Sequence, residues 1–211
     1  HLFTVTDAHR RNARHAYYGM ISYIDDKIGM LLDALRRTGL AENTIVVLTA
    51  DHGEMMGERG MWFKQHFFEW AARIPLVVHA PARWQPRRIK ENVSLVDLMP
   101  TFLDLANGSP FDGYVDPVDG QSLVPALSGD TTTLRDIAIS EFAADGSTGP
   151  SRMVKKGPWK YMYLEGKDRL LYNVELDPRE LDNLIDRPEH AALVAELEAI
   201  TFADWDPERL Y

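Results

Sequence analysis

A short apolar run that ends in a charged tripeptide constrains this chain more than any other stretch. Residues 45–48 read Ile-Val-Val-Leu, and Asp51, His52 and Gly53 follow closely. An unbroken apolar run rich in β-branched residues predicts a strand buried on both faces, as in a parallel sheet. Asp51 and His52 then stand where the strand meets its loop. In open α/β sheets, ligands bind just beyond the carboxyl ends of strands. The carboxylate of Asp51 suits a hard cation such as calcium, and His52 adds a ring nitrogen or a hydrogen bond. Lys64 comes thirteen residues after Asp51, past Gly57 and Gly60. A lysine returned to such a site would set a compact positive charge on an anionic oxygen. Each residue also has an ordinary reading: a helix cap for Asp51, a structural ring for His52, a solvated amine for Lys64.

The remaining periodicities outline an α/β core and a smaller appendage. Tyr17, Ile21, Ile24, Ile28, Leu31 and Leu35 recur at helical spacing, predicting one long helix over residues 7–38 with an apolar stripe. Asp7 is its expected cap and Gly39 its stop. Gly19 and Gly29 weaken a helix interior, and a close approach to a sheet would explain them. Phe67, Phe68 and Trp70 form an aromatic cluster that reads as core. Residues 76–80 read as a second buried strand, and residues 94–106 as an amphipathic helix around Pro100. The Gly- and Pro-rich stretch 107–120 is the expected internal boundary. Beyond it, strands at 137–142, 153–156, 159–164 and 170–174, with turns at Gly157-Pro158 and Gly166-Lys167, predict an antiparallel meander. A last helix, opened by Asp186 and apolar at Leu193, Leu197 and Ile200, is followed by a tail with an aromatic at each end, Trp205 and Tyr211. The division expected is 1–130 for the core and 131–211 for a small α+β subdomain.

Composition excludes several function classes. With 211 residues, a net charge of −9 argues against binding a phosphate backbone, and the one notable basic cluster outside the first helix, Arg87, Arg88 and Lys90, reads as a solvated turn. It holds no apolar run near the roughly 20 residues of a membrane span. Without cysteine there is no disulfide, thiolate metal site or cysteine nucleophile within these residues.

Taken together, the strings Asp51-His52-Gly53, Gly57-Glu58-Arg59-Gly60, Trp62-Phe63-Lys64 and Phe67-Phe68-Glu69 resemble the sulfatase family of the alkaline-phosphatase superfamily, and within it the choline-sulfatases. The likeness extends through residues 17–29 and 93–102, and resumes at Asp119-Gly120-Gln121-Ser122-Leu123 and Ile139-Ser140-Glu141-Phe142. It covers most of this chain but only the carboxyl-terminal part of such an enzyme. The resemblance implies an alkaline-phosphatase-like α/β sandwich with a mostly parallel sheet, followed by a small antiparallel sheet and a helix. It also implies that Asp51 is a calcium ligand with His52 beside it, that His52 and Lys64 act in catalysis, with Lys64 neutralising the sulfate, and that Glu141 binds a quaternary ammonium. Trp62 and His66 are secondary candidates. The family's nucleophile is a formylglycine made from Cys or Ser in a Cys/Ser-x-Pro-x-Arg motif. That motif is missing here, so formylglycine and the remaining metal ligands are expected upstream.

The function implied is hydrolysis of a small sulfate ester, choline O-sulfate above all, by a cytoplasmic homo-oligomer that engages neither nucleic acid nor membrane. The enzymatic alternatives are an arylsulfatase and a phosphonate or phosphodiester hydrolase of the same superfamily. The alternative from another class is a non-catalytic assembly module derived from a sulfatase.

Overall fold

A computed structural model describes residues 4–143, 149–164, 166 and 168–210. The chain forms two compact units, residues 1–64 with 73–86 and residues 65–72 with 87–211. The observed architecture is α/β, with a small antiparallel sheet and a carboxyl-terminal helix.

In the first unit the long helix α1 runs Asp7–Arg37. Its cap is Thr6 rather than Asp7. The Thr6 hydroxyl accepts from the His9 amide, and the His9 ring accepts from the Thr6 amide, so two orphan donors at the helix start are satisfied reciprocally. Asp7 instead pairs with Arg10 one turn on. Arg14 reaches from α1 to the hairpin of β2 (Met55–Met56) and β3 (Trp62–Phe63). Its Nε donates to the Met56 carbonyl at 3.1 Å, and its guanidinium meets Glu58 at 2.5 Å. Gly57, at φ +91°, lies where a Cβ would come within 2.6 Å of the Arg10 side chain, so glycine is needed for both conformation and space.

Two expectations change in this unit. The apolar stripe of α1 exists, but no residue of the helix is buried, and Ile24 and Leu31 are 56% and 67% exposed. Nothing lies within 4 Å of a Cβ built on Gly19 or Gly29, so no close helix–sheet approach explains them among the described residues. Strand β1 (Val46–Thr49) pairs antiparallel with β4 (Leu76–His79), Val46 opposite His79 and Thr49 opposite Leu76. Neither strand has a buried residue. A strand is buried on both faces only with a layer on each side, and a two-stranded ribbon lacks those layers.

The second unit holds the meander. β5 (Ile137–Phe142), β6 (Ser151–Lys156), β7 (Trp159–Leu164) and β8 (Arg169–Asn173) are hydrogen-bonded in that order, all antiparallel. Of the expected turns, Gly157-Pro158 joins β6 to β7, whereas Lys167 lies outside the described residues. Helix α5 (Ala191–Thr201) packs Val194 and Leu197 on Val154, Tyr161 and Leu171. It starts later than Asp186, after a 3-10 turn at Pro188–His190. On β7 the alternate residues Lys160 and Met162 face away from that core, and both are buried. Phe67 and Phe68 are buried as expected, whereas Trp70 is half exposed. Phe67 and Phe68 precede α2 (Glu69–Ala72), which holds Trp70.

Helix α3 (Leu98–Asn107) is led by a 3-10 turn at Leu95–Asp97 and followed later by the short α4 (Val124–Ser128). The Asp97 carboxylate, 3% exposed, accepts from the Ser94 amide and from the Gln121 amide, both at 2.8 Å. Thr101 donates to the Asp97 carbonyl and accepts from the Leu123 amide. Trp205 in the tail is buried, with its ring against Tyr163 and Phe202. Tyr211 lies outside the described residues. Among the described residues no helix is long and apolar enough to cross a membrane.

Candidate active site

Asp51, His52 and Lys64 meet in the first unit, directly after β1 and directly after β3. The His52 amide donates to Asp51 Oδ1 at 2.9 Å. This bond is the main reason that the Asp51 carboxyl titrates below its ordinary range, with electrostatic attraction to His52 and then to Lys64 adding to it. Asp51 is therefore ionised at neutral pH, and its side chain is 83% exposed, with open oxygen for a cation.

The hydrogen bonds of His52 fix its tautomer. Its Nδ1 lies 2.7 Å from the Gly53 carbonyl, which only accepts, so Nδ1 carries the proton. Its Nε2 lies 2.8 Å from Lys64 Nζ, and an ammonium only donates, so Nε2 accepts. The ring is thus held at both nitrogens. Asp51 Oδ2 approaches Nε2 at 3.3 Å. A proton arriving at Nε2 would exchange the Lys64 bond for an ion pair with Asp51. The cluster can therefore present one ammonium and one imidazole nitrogen to an anionic group, and pass a proton between them and that group.

Calcium takes six to eight oxygen ligands. Among the described residues no three His, Cys, Asp or Glu side chains come together as a ligand set. Asp51 suits such an ion in charge and exposure, but the described residues do not by themselves complete a site for it.

The other candidates lie apart from this cluster or beside it. Trp62 is half-buried and packs near Gly57. His66 belongs to the second unit, tilted against Phe68 at 6.5 Å, and burial lowers its imidazole pKa. Glu141, on β5 of the second unit, is about half exposed and directly opposite Arg152 in register. Its Oε1 lies 3.4 Å from Arg152 Nε, and Arg152 also donates to Asp204 at 2.7 Å. Sequence reasoning missed Arg152 and Asp204. The cross-strand pairing of residues 141 and 152 would have pointed to the first, but that register is visible only once the hairpin is paired. Asp204 carries no periodic or motif signal at all.

Comparisons with known proteins give the family. A sulfatase profile matches residues 3–109, and a profile for the carboxyl-terminal region of N-sulphoglucosamine sulphohydrolase matches residues 57–202. The chain is 39% identical to a choline-sulfatase of Rhizobium meliloti, over 98% of this chain and 40% of that protein. It is 32% identical to an arylsulfatase of Clostridium perfringens, over 90% of this chain and 39% of that protein. Its structure superposes on the phosphonate monoester hydrolase of Agrobacterium radiobacter with a TM-score of 0.77 at 30% identity, covering 94% of this chain and 44% of that one. The chain thus spans about two fifths of the length of these relatives, and the fold it shares with them is alkaline-phosphatase-like. The chain belongs to the sulfatase family.

Proposed function

We propose that this chain is the carboxyl-terminal portion of a sulfuric ester hydrolase acting on choline O-sulfate, cleaving it to choline and sulfate. The observation that carries the reading is the Lys64–His52–Asp51 cluster, an amine bonded to an imidazole beside an ionised carboxylate. A sulfate ester spreads negative charge over its outer oxygens as its bond to the leaving oxygen breaks. A fixed ammonium therefore stabilises the transition state more than the substrate. Lys64 has three N–H donors. The bond to His52 aims the group, and a sulfuryl oxygen would take an N–H of the same ammonium. His52, protonated on Nδ1 and basic at Nε2, is the proton carrier beside it. Asp51 is the one carboxylate of the cluster that would join a calcium site. Formylglycine and the other calcium ligands would come from outside these residues, supplying the nucleophile and its activation. Glu141 would hold the quaternary ammonium of choline, a carboxylate being the natural partner of a cation.

In the complete polypeptide, Lys64→Ala is expected to lower kcat by roughly 100-fold or more, the scale of one lost transition-state donor. Asp51→Ala is expected to lower bound calcium, read by elemental analysis of the purified protein. Wild-type turnover in the first variant, with wild-type calcium in the second, would overturn the site assignment.

A second reading is a phosphonate or phosphodiester hydrolase, favoured by the likeness to the phosphonate monoester hydrolase and by the cation that Glu141 already has in Arg152. Turnover of a phosphonate monoester above that of choline sulfate in a side-by-side assay would select it.

A further inference from the structure

We propose that Arg152 and Asp204 form a positioning pair that sets how much negative charge Glu141 offers to a cationic substrate group. The inference rests on the reading of Glu141 as the cation ligand, and deepens it. Arg152 is 4% exposed, and its guanidinium donates to two acceptors and faces a third. Its Nη1 donates to the Thr201 carbonyl at the carboxyl end of α5 (2.8 Å) and to Asp204 Oδ1 (2.7 Å). The negative end of the helix macrodipole favours a cation there. The plane of the guanidinium lies 5.8 Å from the Trp205 ring. Toward Glu141 the contact is different. Arg152 Nε is buried, makes no hydrogen bond, and stands 3.4 Å from Glu141 Oε1.

The two carboxylates therefore share the guanidinium unequally. Asp204 takes the direct bond, which holds its own carboxyl below the ordinary range. Glu141 is left with Coulomb attraction only, and keeps its oxygens for another cation. A buried, unmet N–H is costly, so Nε has every reason to close on Glu141. The pull of Asp204 from the other side of the guanidinium opposes that. If Nε closed, Glu141 would be hydrogen-bonded and largely neutralised, and a quaternary ammonium would meet a spent charge. Asp204 is thus the residue that leaves the Glu141 charge less compensated toward substrate, without touching substrate itself. It is held by the tail, whose Phe202 and Trp205 pack on Tyr163 of β7. Asp204 and Trp205 also line a cavity of about 460 Å³.

The test is Asp204→Asn in the complete polypeptide, assayed with choline sulfate and with 4-nitrophenyl sulfate, alone and in an Glu141→Gln background. Asp204 is 68% exposed, so the amide isostere leaves folding intact. The expected result is a KM for choline sulfate raised about fivefold, the scale of one exposed charge interaction, with kcat and the aryl sulfate unaffected. In the Glu141→Gln background the substitution adds nothing. A purely structural role would move both substrates together. Equal changes with both substrates, or no change with either, overturns the proposal while leaving the Glu141 reading intact if Glu141→Gln alone raises the choline sulfate KM. An effect that persists in the Glu141→Gln background also overturns it, and assigns Asp204 a direct contact with the cation. If Glu141→Gln raises neither KM selectively, the Glu141 reading fails, and the proposal with it.

Discussion

Lys160 shows how much a single residue on β7 decides. It is fully buried, yet charged, and three acceptors surround its Nζ: Glu69 at 2.5 Å, the Phe67 carbonyl at 2.9 Å and Glu180 at 3.0 Å. Glu180 also accepts from the Glu69 amide at 2.7 Å. Two carboxylates thus share one cation, and burial raises the Glu180 pKa despite the attraction of Lys160. A carboxyl group with a raised folded pKa contributes stability below its unfolded value, and loses that contribution as pH rises through the folded value. Removing the cation leaves both carboxylates uncompensated. Lys160→Met is therefore expected to cost about 3–5 kcal/mol, the range for breaking a buried ion pair. Glu180→Gln keeps an acceptor for the Glu69 amide and leaves the shorter Glu69–Lys160 pair in place. It is expected to change stability by less than about 1 kcal/mol at pH 7, and to flatten the loss of stability above pH 4.5. Urea unfolding of both variants at pH 5 and pH 7 checks this. A loss in Glu180→Gln as large as in Lys160→Met would show that both carboxylates are ionised and equally needed.

At the scale of elements, periodicity was legible and pairing was not. The meander, α1 and the apolar side of α5 follow from spacings of two and 3.6 residues, which the local sequence carries directly. The start of α1 at residue 7 was legible, but its cap was misread, because the capping oxygen belongs to Thr6 in place of Asp7. The stitching of α3 to residues 120–123 was invisible, although both strings belong to the family likeness, because it joins residues more than twenty positions apart. The cluster Asp51-His52-Lys64 was legible only as a motif. The bond that joins His52 to Lys64 depends on how the β2–β3 hairpin returns the chain.

Two glycines test this scale in opposite directions. A Cβ on Gly120 would sit 2.0 Å from the Val96 carbonyl oxygen and 3.1 Å from the Asp97 Cα, atoms of the backbone that cannot swing aside. Gly120→Ala is expected to cost about 3 kcal/mol, the upper end for overpacking. A Cβ on Gly29 meets nothing within 4 Å, so Gly29→Ala in this chain alone is expected to gain about 1 kcal/mol through helix propensity. Circular dichroism melts of the two variants would show the opposite shifts, and a stabilised Gly120→Ala would mean that residue 120 is not seated against the start of α3.

At the scale of the molecule, the first unit exposes many large apolar side chains. Tyr18, Ile21, Tyr23, Ile24, Met30 and Leu31 are each at least 48% exposed along one helix, and Leu48 on β1 and Val77 on β4 are exposed in the same unit. The sequence announced the stripe correctly and misjudged its burial, because periodicity reports which face is apolar and not what covers it. Contiguous apolar surface of this kind drives association, and an uncovered two-stranded ribbon adds open edges to it. Charge opposes association: the chain carries −9 near neutrality and loses that charge toward its isoelectric point near 5.2. The 211-residue chain alone is therefore expected to self-associate, most strongly near pH 5, as read by light scattering from pH 5 to pH 8. Ile24→Glu with Leu31→Lys places charges on the stripe at positions where no neighbour is displaced, so the double variant should stay monodisperse at pH 7 with its helix content unchanged. Association that survives this change, with the same pH profile, would shift the cause from the α1 stripe to the open edges of β1 and β4.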